Sequence, residues 1–342
     1  MRRVLCLLLL LCVCHARAKS DRFRVLAFNV ENLFDTKDAP EKADETYLPF
    51  SEKPNLEHAK KCLSLKSLHW AFDCYYLDWN ERAYSEKLKR IAAVLDDGQK
   101  EGLFDAVFLE EVENESVLQD LNRLLQQPFP YIFHKESSDK RGIDVALLSR
   151  HKAVAGPELH SIKFRAATKQ LKKDWREILY VKVLWEGVPV HLFGVHFPAP
   201  FHKWSYRQDA FSSLNALKNK VAAAELSIAA GDFNVPRRES KKSYFKTATA
   251  SWDVSHELGC EQCQGTHFWE KGKEWSFLDM ILVSHPKAPG AWSVDPTSIK
   301  LQNSLPFQKN SQGQPQRWDQ SGPEILGLSD HWPIRLDVII RQ

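Results

Sequence analysis

Six sites along this 342-residue chain place an acid, an amide or a histidine where an apolar run stops. Asn29 follows Phe23 to Phe28, Glu111 follows Ala106 to Leu109, and His196 follows Val190 to Val195. Asp232 and Asn234 follow Ser227 to Ala230 through Gly231, Asp279 lies at the start of Ile281 to Val283, and Asp330-His331 precedes the last apolar run. Such side chains can neutralise charge, hold a hard cation and move protons, because carboxylates are oxygen ligands and histidine titrates near neutral pH. If the six ends converge, they form one polar pocket at the edge of a sheet. Singly, each has an ordinary explanation: an Asn or Asp at a strand end usually makes a turn, and Glu110-Glu111 reads as a solvated corner. A lone histidine is more often structural, so it is the joint occurrence that points to chemistry.

The elements that must position these residues are strands alternating with helices. Phe23 to Phe28, Ala106 to Leu109, Val145 to Ser149, Leu179 to Trp185, Val190 to Val195, Ser227 to Ala230, Phe277 to Ser284 and Pro333 to Ile340 have strand character. One helix presents Leu88, Ile91, Ala92 and Leu95 and stops at Gly98; a second opens on a capping box of Ser116 and Gln119; a third covers roughly 205 to 225. Residues 37 to 80 read as an insertion or loop with an aromatic stretch (Trp70, Phe72, Tyr75, Tyr76, Trp79), and 286 to 327 as a long surface loop. The pattern predicts an α/β sandwich in a single domain over 19 to 342.

Composition supports a globular chain, with 43% hydrophobic and 27% charged residues. Val4 to Cys14 is apolar behind Arg2 and Arg3 but too short to span a bilayer, and with Ala16-Arg17-Ala18 it reads as a signal peptide over residues 1 to 18. A lipid anchor on Cys14 is the rival reading, with Val13 where a small residue is wanted. The segment carries three arginines and no acid, so of 47 basic residues 44 remain against 44 acids, and net charge gives no support to nucleic-acid binding. Cys62, Cys74, Cys260 and Cys263 remain after the signal, and an even number in an exported chain suggests disulfides. Local pairs, Cys62 with Cys74 and Cys260 with Cys263, are preferred over a four-cysteine zinc site.

The local strings are Asn29-Val30-Glu31-Asn32, Leu109-Glu110-Glu111-Val112, Gly231-Asp232-Phe233-Asn234, Phe277-Leu278-Asp279-Met280-Ile281 and Ser329-Asp330-His331-Trp332-Pro333-Ile334. In this order, from about Phe23 to Val338, they resemble the endonuclease/exonuclease/phosphatase superfamily, whose fold is that of deoxyribonuclease I. The resemblance implies a four-layer α/β/β/α sandwich of two packed mixed sheets with helices outside. It also implies a metal-dependent phosphodiesterase or phosphatase site at one end, for which Mg²⁺ is expected, with Mn²⁺ or Ca²⁺ as alternatives.

Carried over motif by motif, the resemblance puts Asn29, Glu111 and Asp330 at the metal. Asp232 would orient or deprotonate the attacking water, with Asn234 bonding that water or the phosphoryl group. His331 would contact the phosphate or act as base, with Asp279 fixing its tautomer, and His196 would bind phosphate or protonate the leaving oxygen. Asp144, in Arg141-Gly142-Ile143-Asp144, would pair with His196, against the reading of a solvated turn acid. Arg176 resembles the family's phosphate-contacting arginine, against the reading of an ordinary surface residue. Val195 stands where many relatives have Asn, and Val195-His196-Phe197-Pro198-Ala199-Pro200 is closer to the secreted deoxyribonuclease branch. Glu110 stands where relatives often have Gln, and Glu111 is taken as the metal ligand from its place in the string.

The implied substrate is nucleic acid, DNA first, cut by a secreted or periplasmic monomer without a stable membrane anchor or protein partner. Arg141, Lys140, Lys172, Lys173, Arg176, Lys203, Arg207, Arg237, Arg238, Lys241 and Lys242 lie near the site motifs and could track a phosphate backbone, or be solvated loop charges. The alternative is a sphingomyelinase-like lipid phosphodiesterase or a phosphomonoesterase, with Trp70, Tyr75, Tyr76 and Trp79 offered to a membrane interface or serving as cover.

Overall fold

Most of the apolar runs become strands buried on both faces, which is why they read as continuous stretches, while Leu179 to Trp185 alternates and leaves Leu184 exposed. The computed structural model describes residues 21–341 except 40, 54, 66 and 166–175, so the expected signal segment, Lys172 and Lys173 lie outside the described residues. The strands are β1 (Arg22–Leu33), β2 (Ala106–Val112), β3 (Tyr131–His134), β4 (Asp144–Ser149), β5 (Ala153–His160), β6 (Ile178–Trp185), β7 (Val188–His196), β8 (Leu226–Asp232), β9 (Trp252–Val254), β10 (His267–Trp269), β11 (Glu274–Ser276), β12 (Asp279–Ser284), β13 (Trp292–Leu301) and β14 (Ile334–Ile340). The helices are α1 (Leu56–Leu63), α2 (Leu68–Tyr76), α3 (Glu81–Gln99), α4 (Glu115–Leu124), α5 (Trp204–Lys218), α6 (Arg237–Ser240), α7 (Ser243–Thr249) and α8 (Ser255–Leu258).

Two six-stranded mixed sheets form, in the orders β13-β14-β1-β2-β4-β3 and β5-β6-β7-β8-β12-β9, and β10-β11 is a separate hairpin. Phe23, Val25 and Ala27 of β1 face Leu226, Ile228 and Ala230 of β8 in the core between the sheets. On the outer face of the first sheet Leu26, Phe28 and Val30 pack on Ile91 and Leu95 of α3 and Leu118 of α4. Phe193 and Ala229, on the outer face of the second sheet, pack on Phe211 and Leu214 of α5. These layers make the expected four-layer sandwich, and each fully buried Leu or Phe contributes about 1.5–3 kcal/mol.

Several elements differ from the sequence expectation. The stretch 286–327 is not loop throughout, because β13 forms the edge of the first sheet against β14. Residues 37–80 hold 3₁₀ turns at Glu45–Tyr47 and Phe50–Glu52 as well as α1 and α2, which the Cys62–Cys74 disulfide joins. Cys260 and Cys263 are also bonded, which removes the zinc alternative. Asn114 rather than Ser116 caps α4, its side chain accepting from the Val117 amide. Gly98 does not stop α3 but sits inside its last turn, where a Cβ would meet the Phe104 ring at 2.8 Å. Trp79 is core, donating from Nε1 to the Phe34 carbonyl at 3.0 Å, whereas Trp70, Phe72 and Tyr76 are exposed.

Candidate active site

Strand direction brings the interrupting residues together. β1 runs parallel to β2 and β7 runs parallel to β8, so Asn29, Glu111, His196 and Asp232 all come at the same edge of the sandwich. Asp279 pairs directly with Asp232 because β12 is antiparallel to β8. A hydrogen bond then crosses between the sheets, the Asn29 amide donating to Asp232 at 3.2 Å while it also donates to Glu111 of its own sheet at 3.3 Å. Gly231, at φ 137°, permits this approach, since an added Cβ would lie 2.7 Å from Glu110 Oε1 of the facing sheet as well as 2.1 Å from the Val195 carbonyl of the neighbouring strand.

On the side of the second sheet, Asp232 is buried and held by three donors. Its Oδ1 accepts from the Asn234 backbone at 2.7 Å, and its Oδ2 accepts from the Asn234 and Asn29 side chains. Burial, reinforced by Asp279 and Glu111 and opposed by His331, pushes its carboxyl up to about 7. The Asn234 side-chain nitrogen is committed, donating to Asp232 and to the Phe197 carbonyl, so it positions Asp232. His331 Nδ1 lies 2.7 Å from Asp279 Oδ2. Burial works against its charge, but Asp279, Asp330 and Asp232 outweigh it and hold the imidazole well above its ordinary value. His196 is the opposite case, because burial and the Arg176 guanidinium, 2.5 Å from its ring, hold it neutral. Arg176 is itself buried and lies 3.7 Å from Asp139, which grips Arg141 through both carboxylate oxygens.

On the side of the first sheet stand Glu111, Asp330 and a residue the strand-end argument passed over, Glu31. Glu31 accepts from the Asp330 and Trp318 amides and from Arg317 Nε at 2.6 Å. Burial and Asp330 push its carboxyl up to about 7. Lys87 of α3 is wholly buried beneath it, donating to the Glu31 carbonyl at 2.9 Å and to the Leu328 carbonyl at 2.5 Å. Glu31, Asn32, Glu111 and Asn234 all have left-handed backbones, with φ between 53° and 64°. That conformation is costly for side-chain-bearing residues and clusters at functional sites. Both carboxylate oxygens of Glu110 are buried without a hydrogen-bond partner among the described residues, and burial raises it well above the carboxylate range, whereas Glu111 lies beside Asn29 and His196.

Two expectations fail. Asp144 does not meet His196: at the start of β4 its carboxylate is taken by His134 Nε2 at 3.1 Å and the Ser137 amide at 2.9 Å. Arg207 is not available to a backbone phosphate, because its guanidinium is fully buried against Glu239 and the Pro198, Ala199 and His202 carbonyls. Arg237, Arg238, Lys241, Lys242 and Lys203 are exposed as expected.

The family profile described as Endonuclease/Exonuclease/phosphatase family matches residues 75–339. The chain belongs to this family. It is accordingly a hydrolase of phosphodiesterase type, and the family typically uses a divalent metal. Solved structures share the fold at low identity. A family protein from Bacteroides thetaiotaomicron is 13% identical with a TM-score of 0.57, covering 94% of this chain and 99% of its own. TDP2 from D. rerio, solved with a single strand DNA product, is 15% identical with a TM-score of 0.53, covering 93% and 99%. SmcL is 16% identical with a TM-score of 0.52, covering 94% and 99%. No curated protein matches the sequence.

The donor set suits the metal. Glu31 and Asp330 line one groove, and Asn29, bonded to Glu111 and to the Glu31 amide, links Glu111 to them, so the acids offer the oxygen chemistry that Mg²⁺ takes. Burial, reinforced by the neighbouring Asp330, raises the Glu31 carboxyl, and a dication beside the two acids would oppose that shift.

Proposed function

We propose that this chain is an exported, divalent-metal-dependent nuclease that hydrolyses the phosphodiester bonds of DNA, with RNA as a related substrate. The convergence of Asn29, Glu111, His196, Asp232, Asp279 and His331 on one pocket between the sheets carries the reading. Asn29, Glu111 and Asp330, with Glu31 beside them, would hold the divalent metal, whose chemistry when bound would be Lewis-acid neutralisation of the phosphoryl oxygens.

The chain's own residues do the rest. Asp232, held near 7 and fixed by Asn29 and Asn234, accepts a proton from the attacking water as the new P–O bond forms. His331, kept cationic by Asp279, presents Nε2–H to the phosphoryl or leaving oxygen, a role for an acid rather than a base. Neutral His196 binds by hydrogen bonding, and Arg141, oriented by Asp139, offers its remaining donors to phosphate. Exposed Arg237, Arg238, Lys241 and Lys242 follow Asn234 directly and supply charge for a polyanion. Similarity to TDP2, whose D. rerio form was solved with a single strand DNA product, supports the same substrate class. Export rests on the N-terminal segment and on the two disulfides, which belong in an oxidising compartment.

A second reading, a lipid phosphodiesterase, is favoured by one observation. A groove of about 1080 Å³ leads from Glu31 and Asp330 past Phe72 and Tyr76 of α2 and Trp269 of the hairpin. Cleavage of supercoiled plasmid by the full chain with Mg²⁺, with EDTA, and by His331→Ala and Asp232→Ala separates the two. EDTA-sensitive nicking absent from both variants supports the nuclease. No nicking, with hydrolysis of sphingomyelin vesicles instead, replaces it with the lipid enzyme.

A further inference from the structure

His267, at the first position of β10, belongs to none of the motifs, yet an isolated bridge pairs its backbone with that of His331. The two imidazoles lie with ring centroids 5.0 Å apart. One ligand atom each from His267, Asp330 and His331 falls within 4.8 Å of the others. His331 Nδ1 is already occupied by Asp279, which leaves Nε2, 3.8 Å from Asp330 Oδ1, as the nitrogen turned to this cluster. Among the described residues the His267 ring has no hydrogen-bond partner.

We infer that His267, His331 and Asp330 form a second, transition-metal site, selective for Zn²⁺ or Co²⁺ over Mg²⁺, whose occupancy shuts off Mg²⁺-supported hydrolysis. Two imidazoles and a carboxylate with an open fourth position are a zinc donor set, whereas Mg²⁺ prefers oxygen ligands. The bond from His331 Nδ1 to the Asp279 carboxylate is the supporting contact that metal-bound histidines almost always have. Occupancy inhibits because the metal displaces the His331 Nε2 proton to solvent, leaving Nδ1–H on Asp279, and takes both that nitrogen and Asp330 from the pocket proposed to do the hydrolysis. The inhibitory part rests on that proposal; the binding part does not.

The test is spectroscopic first. Titrating the metal-free full chain with Co²⁺ is expected to give the visible d–d bands of a four- or five-coordinate ion, lost on adding Zn²⁺ and absent in both His267→Phe and His267→Gln, with far-UV circular dichroism confirming that the variants fold. Bands that persist in the folded variants, or no bands in the native chain, overturn the site. With Mg²⁺ and bis(p-nitrophenyl) phosphate, Zn²⁺ is expected to inhibit the native chain, and the His267 variants to need at least about tenfold more while their Mg²⁺-only rate is unchanged. Equal Zn²⁺ sensitivity in native and variant chains overturns the inhibitory role. A chain that binds Co²⁺ through His267 but hydrolyses no phosphodiester refutes the proposed function and leaves the metal site standing.

Discussion

Replacing Lys87 by Met separates positioning from stability at this site. The ammonium is completely buried, and burial, only partly offset by Glu31, Asp330 and Glu111, lowers it to about 8 from an ordinary 10.5. Keeping it charged at pH 7 therefore costs the fold about 3 kcal/mol, at 1.36 kcal/mol per pK unit. Methionine removes that cost but leaves the Glu31 and Leu328 carbonyls without their donor, at about 1–3 kcal/mol each. The two effects nearly cancel, so urea denaturation is expected to move by less than about 3 kcal/mol in either direction. Activity has no such compensation. Lys87 ties the turn holding Asn29 and Glu31 to the segment entering Ser329-Asp330-His331, and a displacement of about 1 Å there costs roughly 100-fold. The expected result is kcat on bis(p-nitrophenyl) phosphate down by about two decades in a folded variant. An unchanged kcat, or a loss of kcat matched by a collapse in stability beyond about 5 kcal/mol, refutes the assignment.

Asp279→Asn is expected to lower kcat by two to four decades with little change in KM, and to move the alkaline limb of the pH profile downward, because the carboxylate that holds His331 cationic is gone; an unshifted limb counts against it. Gly231→Ala places a Cβ against the Val195 carbonyl at a left-handed φ and is expected to cost more than about 3 kcal/mol in urea unfolding, where a loss below 1 would be inconsistent with the packing described. His256, stacked on Phe277, is lowered by burial to about 4 and is neutral in the fold. Its contribution is therefore complete above an unfolded value near 6.5 and lost as pH falls toward 4, so native stability relative to His256→Phe is expected to drop by about 3 kcal/mol over that window, and parallel stability curves would contradict it.

What the sequence made legible were the strand ends, because a polar residue closing an apolar run is visible without knowing where the strand goes. Glu31 was harder, since it falls on the β1 continuation past Asn29 and its role depends on the Arg317 and Asp330 contacts made about 290 residues later. Lys87 reads as an ordinary lysine of an amphipathic helix, and its burial arises only when residues 325–330 fold across α3. His267 and Arg317 lay in stretches with no periodicity to mark them. Asp144 and Arg207 misled for a common reason: an acid or arginine beside a motif can be consumed by a local partner, here His134 and Glu239, that no linear pattern reveals.

The pocket is divided between two bodies. Asn29, Glu31, Glu111 and Asp330 travel with one sheet, while His196, Asp232 and Asp279 travel with the other, and the Asn29–Asp232 bond is a rivet between them. The catalytic geometry is thus a gauge of inter-sheet spacing, set by Val25, Ala27, Ile228 and Ala230 well below the pocket floor. A methyl group removed from that interior would be registered at the reacting phosphate as misalignment, so turnover becomes a more sensitive reporter of the buried seam than any melting curve.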